Sequence, residues 1–137
     1  MKYYKMDWCI FCSIISGDIP SIKIWENDRF IAILDAFPNT KWMTLVMPKK
    51  HYDSNVFKME DSIYQDFMLA VKEVSNILMK WLKVERIIMI MEWLQVNHAH
   101  VKLYPFYNQG MQNYFESGEQ VETSDLQEIA KEIKDNQ

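Results

Sequence analysis

Between Asn97 and Pro105 polar and apolar residues alternate without a break, the period of a strand with one buried face. In that register His98, His100 and Lys102 point to one side, and Ala99, Val101 and Leu103 to the other. Strand-length apolar runs recur at Ile22–Trp25, Phe30–Leu34, Met43–Met47 and Arg86–Met91. The last is so continuously apolar that it is expected to be buried on both sides. The polar segment Glu26-Asn27-Asp28-Arg29 predicts a hairpin between the first two, and short connections favour antiparallel pairing. A different period holds over 60–82, where Ile63, Phe67, Ala70, Val71, Val74, Ile77, Leu78 and Trp81 recur at spacings of three and four. This predicts one long helix whose apolar stripe covers a sheet face. A short amphipathic helix is expected over Cys9–Ser16, with Ile10, Phe11, Ile14 and Ile15 apolar and Gly17 as its stop. Residues 1–8 read as a loose lead, and 106–137 as a polar tail that starts with Phe106, Tyr107, Tyr114 and Phe115. The tail ends in a helix from about Ser124, carried by Leu126, Ile129, Ala130 and Ile133. No repeat or domain boundary interrupts 1–137, so a single domain is expected.

Two imidazoles and an ammonium on one strand face do little for a core and point to a site for an anion. The plainer account is a solvated sheet face that carries histidines. Composition narrows the choice. With 137 residues, 49% of them hydrophobic and 25% charged, the chain is an ordinary globular one able to bury a core without staples. A net charge of −4 argues against a general nucleic-acid binder, so any phosphate site must be local. No apolar run approaches the roughly 20 residues that span a bilayer, and 1–8 lacks a hydrophobic signal core, so no membrane partner and a cytoplasmic location are expected.

The two cysteines, Cys9 and Cys12, are spaced too tightly for an ordinary structural disulfide. They read as a metal-ligand pair, as a redox pair, or as two small residues packed under the first helix. No thioredoxin-like strand precedes them, which counts against redox use. Tetrahedral zinc takes four ligands of this kind. Cys9, Cys12, His51 and one histidine of the strand would complete a closed structural site and leave the other histidine for chemistry.

With these motifs in place the chain resembles the histidine triad (HIT) nucleotide hydrolases and transferases, specifically the bacterial branch with a zinc site. The resemblance runs from Cys-Ile-Phe-Cys-Ser-Ile-Ile-Ser-Gly-Asp-Ile-Pro at 9–20, through Asp35, to Leu45-Val46-Met47-Pro48-Lys49-Lys50-His51 and the histidine strand. It implies an α+β fold, a HIT-like five-stranded antiparallel sheet with one long helix and a short N-terminal helix. It also implies a homodimer with a continuous sheet, and a purine nucleotide, dinucleoside polyphosphate or phosphoramidate as substrate. The implied nucleophile is His100, which attacks the α-phosphate to form a nucleotidyl-histidine that water or another acceptor then releases. Asp35 matches an acidic residue that binds the ribose hydroxyls, and Ile10, Phe11, Ile14 and Ile33 match residues that hold the base. Cys9, Cys12, His51 and His98 match the structural zinc ligands. The chemistry suits these residue types, since a neutral imidazole is nucleophilic near pH 7 and a covalent intermediate splits one difficult substitution into two. Lys102 and backbone amides could meet the charge on the phosphate, and one carboxylate can accept from both hydroxyls of a diol. Asp35 also reads as a plain turn cap, and the four apolar residues as ordinary core.

The chain departs from the family pattern at several places. Lys102 replaces the third histidine, and lysine is a poor proton donor near neutral pH. Relatives with glutamine there tend to be transferases, which leaves the acceptor open. Met91 stands where many relatives carry a substrate-contacting asparagine. Gln95 stands near a serine that assists the leaving group, which makes it a catalytic candidate beside His100 and Lys102. The reading is therefore a nucleotide hydrolase or nucleotidyl transferase, the alternative being a catalytically impaired nucleotide-binding or partner-binding HIT protein. Trp42, Trp81 and Trp93 fall where relatives usually have glycine, and the chain holds only 3 Gly against 5 Trp, when average usage is about 7% Gly. Either the gene reads UGA as glycine and was translated with UGA as tryptophan, or these are three genuine tryptophans packing at loop ends; UGG at all three codons excludes the first account.

Overall fold

In the first helix, α1 (Ile10–Ser16), the Cys9 Sγ caps the N-terminus by accepting the Cys12 N–H at 3.4 Å. Gly17 closes it at φ 87°, a left-handed conformation that glycine adopts without strain. The computed structural model describes residues 9–92, 94–107 and 120–135. Their contacts divide the chain into two units, Met1–Tyr107 and Asn108–Gln137.

In the first unit, β1 (Ile22–Glu26) and β2 (Phe30–Leu34) form the expected hairpin, its turn held by Asn27, whose Oδ1 accepts from the amides of Arg29 and Phe30. Next come β3 (Thr44–Pro48), a short 3₁₀ turn (Val56–Lys58), α2 (Asp61–Leu82), β4 (Ile87–Ile90) and β5 (Val101–Pro105). The strands make one antiparallel five-stranded sheet in the order β1-β2-β3-β5-β4. Its two faces follow from register. Ala32 pairs with Val46 and Val46 with Val101, and all three join the core built on Phe67, Val71 and Val74 of α2. Phe67 is fully buried and stacks on Phe30 at 5.5 Å, a burial worth about 1.5–3 kcal/mol. The next row, Ile33, Leu45, Lys102 and Ile90, points to the opposite face, where α1 lies.

Three expectations are corrected. The histidine segment is not strand throughout, because the ladder starts at Val101 and residues 98–100 run in to it as a connection. Arg86–Met91 is not buried on both sides: β4 ends the sheet, so Met89 is 47% exposed. Trp81 leaves the covering stripe and is 73% exposed, since in the last turn it is Leu82, four residues after the buried Leu78, that packs on the core. Trp81 is also helical, and the left-handed residue that ends α2 is Lys83 at φ 54°. Trp42 adopts φ 64°, as the glycine expectation requires. Trp93, Tyr114, Phe115, residues 1–8 and the side chain of Ile133 lie outside the described residues.

The second unit contains α3 (Thr123–Asp135), with Asp125 in its first turn and Lys134 in its last, the polarity a helix dipole favours. Leu126 and Ile129 are exposed on it. Among the described residues no helix is long and apolar enough to cross a membrane.

Candidate active site and metal centre

Three chain segments meet on the α1 face of the sheet. A spacing of three residues sets Cys9 and Cys12 one above the other at the start of α1. His51 follows the end of β3, and His98 precedes β5. One backbone bond and one side-chain bond stitch the two histidine segments together: the Ala99 N–H donates to the Tyr52 carbonyl at 3.0 Å, and the Ser54 N–H to the Asn97 side-chain Oδ1 at 3.0 Å. The four ligand atoms, two Sγ and one nitrogen from each imidazole, all lie within 4.8 Å of one another. Cys9 Sγ is 3.4 Å from His98 Nδ1, and Cys12 Sγ is 3.3 Å from His51 Nδ1 and 3.5 Å from His98 Nδ1. A zinc tetrahedron with bonds of about 2.0–2.3 Å has edges of about 3.3–3.8 Å, so the donor set fits a metal ion of that size.

The surroundings tune these ligands. His98 is wholly buried, and its Nε2 donates to the Pro48 carbonyl at 2.8 Å, which leaves Nδ1 bare toward the thiols. Burial lowers its pKa to about 4 against the Pro48 bond, with His51 and His100 adding to the depression. Burial, then the hydrogen bond and charge of Cys9, push the Cys12 thiol up to about 12. Both cysteines are free thiols.

His100 is the histidine outside this cluster. Its Nδ1 lies 2.7 Å from the His98 carbonyl, an acceptor only, so the proton sits on Nδ1 and the lone pair on Nε2. Burial lowers its pKa and keeps the ring neutral. Phe11 stands edge-on to it at 5.0 Å. The ring is only 2% exposed, more enclosed than an anion-facing strand face suggests. Lys102 is brought to the same side. Gln95 is exposed in the connection before β5, and no contact among the described residues links it to His100.

A cavity of about 640 Å³ opens between α1 and the β1-β2-β3 side of the sheet. Ile10, Phe11, Ile14, Ile33 and Asp35 all line it, and so does Trp42. Asp35 Oδ1 caps the following turn by accepting the Phe37 N–H at 2.8 Å, so the turn-cap role is real and coexists with a place on the cavity wall. Leu45 belongs to the lining and pairs directly with Lys102, which ties the cavity to the His100 region along one cross-strand row.

Glu92 is the residue that reading the chain missed. Its Oε1 lies 2.9 Å from Lys102 Nζ and 3.7 Å from His100 Nε2, and its Oε2 accepts the Leu94 N–H at 2.7 Å. Burial would raise this carboxyl, but Lys102, the Leu94 amide and His100 outweigh it and hold the pKa below the ordinary value. A signal was present: Ile90 pairs with Lys102, so extending the hairpin by two residues sets 92 opposite 100.

The family model described as HIT domain matches residues 16–123. An uncharacterized HIT-like protein of Methanocaldococcus jannaschii is 37% identical over 131 residues, covering 92% of this chain and 98% of that protein. Among solved structures, the SMU.412c protein of Streptococcus mutans UA159 superposes with a TM-score of 0.82 at 29% identity, covering 96% of this chain and 87% of that one. A HIT family hydrolase from Clostridium thermocellum gives a TM-score of 0.68 at 26% identity, covering 79% and 98%.

Proposed function

Because the chain belongs to the HIT domain family, we propose that it is a nucleotide hydrolase or nucleotidyl transferase working at the α-phosphate of a nucleoside polyphosphate or phosphoramidate. The observation that carries this reading is the tautomer of His100, whose neutral ring keeps a lone pair on Nε2 beside the Lys102 cation. The purine base would enter the apolar cavity against Ile10, Phe11, Ile14 and Ile33, with Asp35 toward the ribose hydroxyls. Nε2 attacks phosphorus, the N–P bond forms as the bond to the leaving group breaks, and the departing oxygen or nitrogen takes a proton from solvent. Water or an acceptor hydroxyl then attacks phosphorus, returns the electron pair to Nε2 and gives its own proton to solvent. Lys102 balances charge on the phosphate oxygens while donating protons poorly, so leaving groups that are already good are favoured. Gln95 would have to approach from its loop to assist one.

Cys9, Cys12, His51 and His98 would hold a structural zinc ion, which when bound cross-links α1 to the segments that carry the histidines. The exposed edge of β4 supports a homodimer joined through that strand. The reading includes a cytoplasmic location and no nucleic-acid partner, in keeping with the net charge of −4.

The test is incubation with α-labelled ATP or an adenosine phosphoramidate. The expected result is an acid-labile label on the chain that His100→Ala abolishes. A second reading, a nucleotide binder without turnover, is favoured by the enclosure of His100 and the engagement of Lys102 by Glu92. AMP binding with no label selects that reading, and label retained by His100→Ala refutes the nucleophile.

A further inference from the structure

The Glu92 carboxylate meets two donors that suit an oxyanion and faces the bare ring nitrogen proposed to attack phosphorus. One oxygen meets the Lys102 ammonium at 2.9 Å and faces His100 Nε2 at 3.7 Å, while the other accepts a backbone N–H from Leu94 at 2.7 Å. An ammonium, a backbone amide and a ring nitrogen are the set expected around one phosphate, and here they surround a side chain of the protein itself. The contact at 3.7 Å is longer than a hydrogen bond, as expected where a lone pair rather than an N–H faces the carboxylate. Oε1 is sealed from solvent. Glu92 lies just past the end of β4, in the connection to β5, where no ladder fixes it.

We infer that Glu92 is an internal stand-in for phosphate, a carboxylate plug that sits against His100 and Lys102 and must be displaced when an anion enters. This rests on the nucleotide reading, and it adds that the affinity of the site for phosphate is set by competition with Glu92. The plug does not reach the apolar cavity that would take the base, since Glu92 does not line it. Its effect should therefore fall on the phosphate and spare the nucleoside.

The experiment compares wild type with Glu92→Gln, which keeps an oxygen for the Leu94 amide and removes the charge. Binding of AMP, adenosine and inorganic phosphate is measured by calorimetry, with thermal melts to confirm folding and Glu92→Ser as a second variant should the first fail to fold. The expected result is AMP bound at least roughly tenfold more tightly by the variant, with adenosine unchanged, because one competing unit charge has gone. AMP bound equally or more weakly by the variant, with adenosine still bound by both, overturns the plug and leaves the nucleotide reading standing. If neither AMP nor adenosine binds either protein, the nucleotide reading fails. Inorganic phosphate then decides the plug alone: tighter binding to Glu92→Gln supports it, and equal binding removes it.

Discussion

Trp42 holds φ 64°, where a residue with a Cβ costs about 1–2 kcal/mol that glycine does not. Replacing it by glycine alone confounds this strain with loss of the indole, which lines the cavity and lies under the Lys41 ammonium at 5.3 Å. The informative comparison is Trp42→Gly against Trp42→Ala, because both lose the indole and the lost packing cancels. At an ordinary φ, alanine is favoured over glycine by roughly 0.5–1 kcal/mol through the entropy of the unfolded chain. Subtracting that from the strain leaves Trp42→Gly more stable than Trp42→Ala by roughly 0–1.5 kcal/mol, with a central value of about 0.7 kcal/mol. In a domain of this size the central value is about 2–5 °C in Tm. Trp81 is the control, since it lies within α2 and is exposed. There Trp81→Ala should exceed Trp81→Gly by about 1 kcal/mol. Urea melts followed by circular dichroism read all four variants. An alanine at 42 more stable than the glycine, the same sign as at 81, refutes the left-handed assignment and the reasoning as a whole.

Two further outcomes are expected. Protein purified without added metal should carry about one zinc per chain, and Cys12→Ala should carry almost none, since a closed tetrahedral site needs all four ligands. Because the Cys12 thiol must lose its proton to bind, zinc affinity should climb with pH, and a metal-free wild type or a pH-independent affinity contradicts the site. Glu26 is paired with Lys23 at 2.6 Å and Lys49 at 2.9 Å, which lower its pKa to about 2. Its folded pKa lies below the unfolded one, so its contribution to stability is complete above about pH 4.5 and fades as pH falls toward 2. A carboxyl titration by NMR should show the low midpoint moving up in Lys23→Met and Lys49→Met, and a midpoint near 4.5 in the wild type would contradict the pairing.

What the sequence determined by itself were the features carried by local period and spacing. The stripe through Phe67, Val71 and Val74, the Asn27 turn, and the alternation that buries Ala99, Val101 and Leu103 are properties of neighbours in the chain, and each reappears in the fold. Three members of the Cys/His cluster, Cys9, Cys12 and His51, were legible for a related reason, since few residue types bind metal and the chain has few of them, whereas His98 rather than His100 as the fourth came from the family resemblance. The tertiary structure decided what depends on partners far along the chain. Which histidine carries its lone pair where was settled by the carbonyls of Pro48 and His98, backbone atoms that have no signature in the residue letters. The exposure of β4 came from its place at the sheet edge, which an apolar run cannot announce. Glu92 against Lys102 came from hairpin register, so a residue that reads as loop polarity became a charge 3.7 Å from the candidate nucleophile.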